Sequence, residues 1–353
     1  MAHEPSEIAR ALDAYPRETL TRTPTPLDHL PHASAELGTE LYLKRDDLTD
    51  LALGGDKPRK LEYELANARA EQASILVTCG SAQSNHARLT TAAAKHLGLK
   101  CAVVLSRDGP RELQGNLLTV QLMGADVHFI DTADHWELGE HALRLCDELR
   151  AQGENPYYIP VSGTTPLSCL GYIRAGLEIA DQLEQRNLQL DAIYTPFGTG
   201  GIFTALLLAL RERGVNCPII GLSVNGDEAH CHENVEKWKS ALCEMLFLDP
   251  AKRREPYEIY DEFIGKAYGD ATEEALDAIL MMAGTEGILL DPVYSGKVFA
   301  GLRFHCRAGR WAKDHRVMMV HSGGVPAVFA YHEQLSQHLR KRSIAQDERR
   351  DQR

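Results

Sequence analysis

ASILVTCGSAQSNHARLTTAAAKHLGL, residues 73–99, joins the two patterns that decide the fold. Its first eight residues are a short apolar run of strand type, and the segment from residue 86 onward has the length and alanine content of a helix. Between them lies the polar stretch SAQSNHAR (81–88). The same unit recurs. KCAVVLSR (100–107), ADVHFI (125–130) and PYYIPV (156–161) are further apolar runs, separated by helix-length segments such as LQGNLLTVQLMG and HWELGEHALRLCDELRAQG. A second series follows with DAIYTPFG (191–198), PIIGLSV (218–224) and HRVMMVHSGG (315–324). Strands alternating with helices predict an α/β fold, with parallel sheets flanked by helices and ligands at the strand carboxyl ends. No repeat of fixed period interrupts this order, and the terminal LRKRSIAQDERRDQR (339–353) reads as a charged, solvated tail open to disorder.

Composition bounds the function. The chain has 353 residues, 44% hydrophobic and 25% charged, enough for two lobes with cores of their own. A net charge of −12 argues against nucleic acid or an anionic membrane as a general partner, since both need a basic surface. The opening MAHEPSEIARALDAYPRETL lacks a cationic start followed by an apolar core, and the longest apolar run, near residues 202–210, falls short of the roughly 20 residues a membrane span needs. The expectation is a cytoplasmic protein. Eight cysteines scattered singly, with no C-x-x-C pair, suit reduced thiols. HCH at 230–232 is the nearest approach to a metal cluster, but adjacent residues on a helix point in different directions, so no metal is expected.

Function should then sit in the loops that leave the strands. LALGGDKPRKLEY (51–63) poses the sharpest question, because it puts Lys57 at a helix entrance, the end that favours anions. Such a lysine is a tolerated surface cation, or faces something negative, or is held for chemistry as an amine or imine. SAQSNHAR offers helix-start N–H groups with the side chains of Ser84, Asn85 and His86, a receptor for a carboxylate. A plain helix cap is the simpler account of the same residues. FGTGGIFTALLLAL (197–210) sets Thr199 among Gly198, Gly200 and Gly201 before a helix, which suits a phosphate. It is not a dinucleotide fingerprint, since Phe203 stands where a small residue is required. DPVYSGKVFAGL (291–302) offers the phenol of Tyr294, and HSGGVPAVFA (321–330) the hydroxyl of Ser322. Each of these has a structural reading of its own, as a packed tyrosine and a helix-capping serine.

In this order the loops resemble the pyridoxal-phosphate enzymes of the D-cysteine desulfhydrase and 1-aminocyclopropane-1-carboxylate deaminase family, which have the two-lobed fold type II of the tryptophan synthase β-like enzymes. The likeness runs from LYLKRDDLTDLALGGDKPRKLEY through QSNHAR, YGDATEEALDAI and DPVYSGK to HSGG. It implies that Lys57 forms the Schiff base with the cofactor and that Lys60 and the Thr199–Gly200–Gly201–Ile202 loop hold its phosphate. It further implies that Asn85 bonds the pyridine O3′, that Ser84 with its neighbours Asn85 and His86 binds the substrate carboxylate, and that Tyr268 and Tyr294 line the substrate site. Ser322 matches the hydroxyl that faces the pyridine nitrogen in the desulfhydrase branch. In the deaminases the tyrosine of DPVY is followed by glutamate and the HxGG position is apolar, so Ser295 and Ser322 both point to the desulfhydrases.

The implied reaction is β-elimination from a small β-substituted amino acid such as D-cysteine, giving pyruvate, ammonia and the leaving group. Lys57 is the base at the α-carbon, and a serine at the ring nitrogen, unable to hold it protonated, favours elimination. A 1-aminocyclopropane-1-carboxylate deaminase, an L-cysteate sulfo-lyase and a degenerate cofactor-binding protein are the alternatives. A nicotinamide oxidoreductase lacks its G-x-G-x-x-G here. Two departures from the family stand out: Asp56 replaces the usual asparagine before the lysine, and VSGTTPLSCLGY (161–172) replaces a glycine-rich Gly-Gly-Ser-Asn segment, making Thr164 a substrate-contact candidate. The resemblance also implies a homodimer and two lobes: residues 1–54 with 164–340 as the larger, cofactor-binding one, residues 55–163 as the smaller, and 341–353 as the charged tail.

Overall fold

A computed structural model describes residues 7–107, 110, 112–132, 134–250 and 256–351. Two sheets organise them. One has six strands: β1 (Leu27–His29), β2 (Glu40–Lys44), β7 (Ala192–Phe197), β8 (Ile219–Ser223), β9 (Glu258–Tyr260) and β10 (Arg316–Val320). Their order is β1-β2-β10-β7-β8-β9, and all neighbours are parallel except the edge pair β1 and β2. The other sheet has four parallel strands in the order β5-β4-β3-β6, formed by β3 (Ile75–Ser81), β4 (Lys100–Ser106), β5 (Asp126–Ile130) and β6 (Pro156–Ile159). The seven apolar runs read from the sequence are β3 to β8 and β10. The short strands β1, β2 and β9 were not among them.

These strands read as unbroken apolar runs because both faces of each sheet are covered. Successive side chains point to opposite faces, so each strand feeds two cores. In the larger sheet Ile193, Phe197, Met318 and Val320 pack against the helices Pro166–Gln185 and Gly201–Glu212. Ala192, Tyr194, Val317 and Met319 pack on the other side against Glu273–Glu286 and Ser295–Arg307. In the smaller sheet Leu76, Val103 and Leu105 meet Lys57–Ala70 and Asn85–His96, while Ile75, Val77, Ala102 and Val104 meet His135–Ala151. Each fully buried aliphatic side chain contributes about 1.5–3 kcal/mol.

The charged terminal segment is helical through residue 351. It continues the helix His332–Asp351, which docks on Glu273–Glu286 through His338 and Arg342 to Asp277 and Lys341 to Glu273. The three residues of HCH diverge on the helix Glu228–Met245. His232 bonds Tyr257, Cys231 turns inward to Ser223, and His230 faces the cleft described below.

Candidate active site

The carboxyl ends of β3, β6, β7, β8 and β10 converge on one cleft that encloses about 310 Å³. It gathers Lys57, Lys60, Ser84, Asn85, His86, Thr164, Thr199, Gly200, Ile202, Tyr268, Tyr294 and Ser322. Gly201, of the expected phosphate loop, lies behind the wall. As the first residue of its helix it packs so tightly that a Cβ there would come within 2.5 Å of Thr164 Cγ2 and 2.7 Å of Cys169 Sγ.

Lys57 opens the helix Lys57–Ala70, and its Nζ contacts Asp56 Oδ2 at 2.5 Å. Asp56 precedes the helix but its side chain makes no cap; its carboxylate is turned onto Lys57 instead. The preceding glycines are needed. Gly54 and Gly55 have φ of +66° and +130°, and a Cβ on Gly54 would overlap the Asp47 carbonyl. This brings the loop against the HSGG turn, where Asp56 N–H donates to the Ser322 carbonyl at 3.0 Å.

One end of the cleft suits a phosphate. Lys60 is 2% exposed and donates to the Ser162 carbonyl at 3.0 Å and to Thr164 Oγ1 at 2.7 Å. Thr164 Oγ1 in turn lies 2.8 Å from Thr199 Oγ1, and Trp238 Nε1 donates to the Thr199 carbonyl. Burial and the neighbouring Lys57 lower the Lys60 amine to about 8, and among the described residues no carboxylate bonds it. An ammonium has three protons, and two are used. The third, the one hydroxyl proton that the Thr164–Thr199 pair leaves over and the free N–H groups of the Gly201–Glu212 helix start form a donor set that a dianion completes. The residues present therefore fit a phosphorylated cofactor. Thr164, expected to touch substrate, belongs to this end. Gly163 (φ +56°) and the capping box of Thr165 and Ser168 turn the chain so that its hydroxyl meets Lys60.

The other end is built on the start of the helix Asn85–His96. Ser84 Oγ accepts from Ala87 N–H at 3.1 Å as the cap, and the backbone N–H groups of Asn85 and His86 are first-turn donors. The His86 ring does not join them. Its nitrogens lie 2.9 Å from Thr78 Oγ1 and 3.3 Å from Thr90 Oγ1, and Gly163 covers it closely. Burial, with Lys57 and Lys60 nearby, pushes its pKa well below the ordinary range, so the ring stays neutral and shapes the wall. Tyr268 and Tyr294 share a 2.5 Å contact between their hydroxyls, and burial raises both phenols. Ser295 is withdrawn: its hydroxyl donates to Asp291 Oδ1 at 2.6 Å, a carboxylate that also caps this helix start.

Sequence reasoning missed the groups that hold these residues. Arg59 forks onto Asp46 and Glu178, with Lys44 on Glu178 and the Tyr172 hydroxyl on Asp46. Against the penalty of burial, Arg59 and Lys44 keep both carboxyls below their usual range. Arg88, fully buried, donates to the Ala52 and Gly54 carbonyls and to Asn116 Oδ1, and burial lowers it to about 10. KRDD and the arginine of QSNHAR were the only signals, and neither names a partner.

Residues 18–323 match the family described as "Pyridoxal-phosphate dependent enzyme". The D-cysteine desulfhydrase of Serratia proteamaculans is 36% identical over 335 residues, covering 93% of this chain and 99% of that protein. A protein of Pyrococcus abyssi provisionally named a 1-aminocyclopropane-1-carboxylate deaminase is 37% identical over 329 residues, covering 93% and 98%. The crystal structure of a homologue of that deaminase superposes with a TM-score of 0.87 at 36% identity, over 95% of this chain and all of the other. A threonine deaminase of Solanum lycopersicum, 20% identical with a TM-score of 0.66 over 94% and 87% of the two chains, shares the fold. Through the family match and these identities over nearly its whole length, the chain belongs to the pyridoxal-phosphate dependent enzymes.

Proposed function

We propose that the protein is a lyase that eliminates the β-substituent of a small amino acid, with D-cysteine as the reference substrate. Water enters and pyruvate, ammonia and hydrosulfide leave. The observation that carries the reading is the placing of Lys57 in one cleft with a phosphate-shaped end and a carboxylate-shaped end. Pyridoxal phosphate, when bound, supplies the electron sink for the departing α-proton.

The chain's own groups do the rest. Lys60, Thr199, Gly200, Gly201 and Ile202 hold the phosphate, with Thr164 added to them. Ser84 and the backbone N–H groups of Asn85 and His86 receive the substrate carboxylate, and the Asn85 side-chain amide serves the phenolic oxygen of the cofactor. Lys57 Nζ takes the α-proton, and Asp56 steadies the amine when it is free. Tyr268 and Tyr294, one phenol bonded to the other, pass a proton to the leaving group. Ser322 at the cleft supports the desulfhydrase branch, since it offers the ring nitrogen a hydroxyl and no carboxylate.

The larger lobe, residues 1–54 and 164–340, carries the cofactor, and 55–163 forms the smaller lobe. Eight cysteines with no disulfide among them support a reducing, cytoplasmic setting, and no helix among the described residues is long and apolar enough to cross a membrane. A homodimer is the expected assembly. The test is the visible spectrum of the purified, cofactor-loaded protein during addition of D-cysteine, with pyruvate assayed in the same cuvette. A perturbed band with pyruvate accumulating supports the reading. A band indifferent to D-cysteine moves the substrate elsewhere, and no band after reconstitution overturns the cofactor.

A further inference from the structure

Asn116 lies in the helix Gly115–Leu122, is fully buried, and touches no cleft space itself. It nevertheless sets the polarity of the cleft. Its Oδ1 accepts from Arg88 Nε at 2.7 Å, and an arginine only donates, so this oxygen cannot be exchanged for the amide nitrogen. Asn116 Nδ2 must then be the donor on the other side, and there it meets the Gln83 carbonyl at 2.8 Å and Asn85 Oδ1 at 2.9 Å. The Asn85 oxygen is thereby spoken for, and its Nδ2 is left for the cleft. The relay begins at the loop that carries Lys57, because the same Arg88 donates to the Gly54 carbonyl at 3.1 Å and to that of Ala52. Arg88 and Asn116 are both fully buried, away from bulk solvent.

We infer that Asn116 is a positioning residue for the cofactor's phenolic oxygen: it locks the Asn85 amide with its NH2 toward the cleft, as the donor to that oxygen. The inference rests on the pyridoxal phosphate reading above. An inverted amide would set a carbonyl against an ionised phenol and repel it. A merely structural Asn116 would affect folding but treat ligands with and without that oxygen alike.

The test compares the dissociation constants of the full-length apoprotein for pyridoxal phosphate and for 3-deoxypyridoxal phosphate, which lacks the oxygen. Asn116→Asp can only accept, so it draws the Asn85 NH2 onto itself and turns the carbonyl to the cleft; Asn116→Ala removes the lock without inverting it. The preference for pyridoxal phosphate over the deoxy compound should fall about tenfold in Asn116→Asp and less in Asn116→Ala, while competition by inorganic phosphate stays unchanged. Melting curves report folding, and if Asn116→Asp does not fold, the ratio in Asn116→Ala decides. An unchanged ratio in the folded variants overturns the inference. A wild-type protein that takes up neither compound overturns the cofactor reading and this inference with it.

Discussion

The helix Lys57–Ala70 carries cations in two settings. On one side Arg59, joined by Lys44, meets two carboxylates, Asp46 and Glu178, in a buried group whose formal charge closes to zero. On the other, Lys57 and Lys60, with Arg88 behind them, face a cleft in which Asp56 is the one carboxylate. Both are buried and both are hydrogen-bonded, yet only the first is complete. A cation balanced by its own chain serves the fold; a cation left to carbonyls and hydroxyls awaits a guest. Burial lowers the amines of both Lys44 and Lys60, so the difference lies in their partners: Lys44 meets Glu178, Lys60 a carbonyl and a hydroxyl.

The comparison breaks first at Lys57. Lys57→Ala should abolish covalent capture of pyridoxal phosphate, read by mass after borohydride reduction, and lower turnover by about 10²–10⁴-fold or more; labelling that persists at another lysine sinks the assignment. Next, Arg59→Met should unfold more easily by about 3–5 kcal/mol in urea titrations, since it leaves Asp46 and Glu178 buried without their main partner. A small loss would mean the closed group is not structural.

The open setting should respond to pH. The Lys60 amine falls from 10.5 to about 8 on folding, so the unfolded chain binds more protons between those values. The Lys60 contribution to the stability of the cofactor-free protein should therefore grow as pH rises from about 8 towards 10.5, by about 3 kcal/mol. Lys297, also lowered to about 8, acts in the same sense and the buried thiols and phenols that burial raises act in the opposite one, so the Lys60 share is the part that Lys60→Met removes. The same Lys60→Met should weaken binding of pyridoxal phosphate about ten- to hundredfold while leaving the apoprotein no less stable, the reverse of Arg59→Met. Last, Tyr268→Phe strips Tyr294 of its hydroxyl partner and should lower kcat about fivefold to tenfold, with the cofactor still bound.

Much of this was legible in the chain. Seven strands announced themselves because both faces of each sheet are covered, which makes their runs apolar throughout. β1 and β9 have three residues each and lie at the sheet edges, too short for a pattern to form. ELYLK of β2 sits inside the sheet, but with polar Glu40 and Lys44 at its ends it does not read as an apolar run. The site loops were found because they leave strand ends. Which way Thr164 and His86 turn within the cleft could not be read, because a left-handed glycine and a capping box decide it. Arg88 and Asn116 were invisible as site residues, since their partners are backbone carbonyls and amides some 30 positions away.

The loops bearing Lys57 and Ser322 are joined by main chain alone. Asp56 N–H bonds the Ser322 carbonyl, and Gly323 lies so close that a Cβ there would stand 2.5 Å from Gly55 Cα. Neither the Asp56 carboxylate nor the Ser322 hydroxyl takes part in that seam. These two cleft-lining side chains can thus be exchanged by single substitutions without loosening the backbone beneath them. A lineage built on this seam is free to explore new reactions one residue at a time, with its architecture left intact at each step.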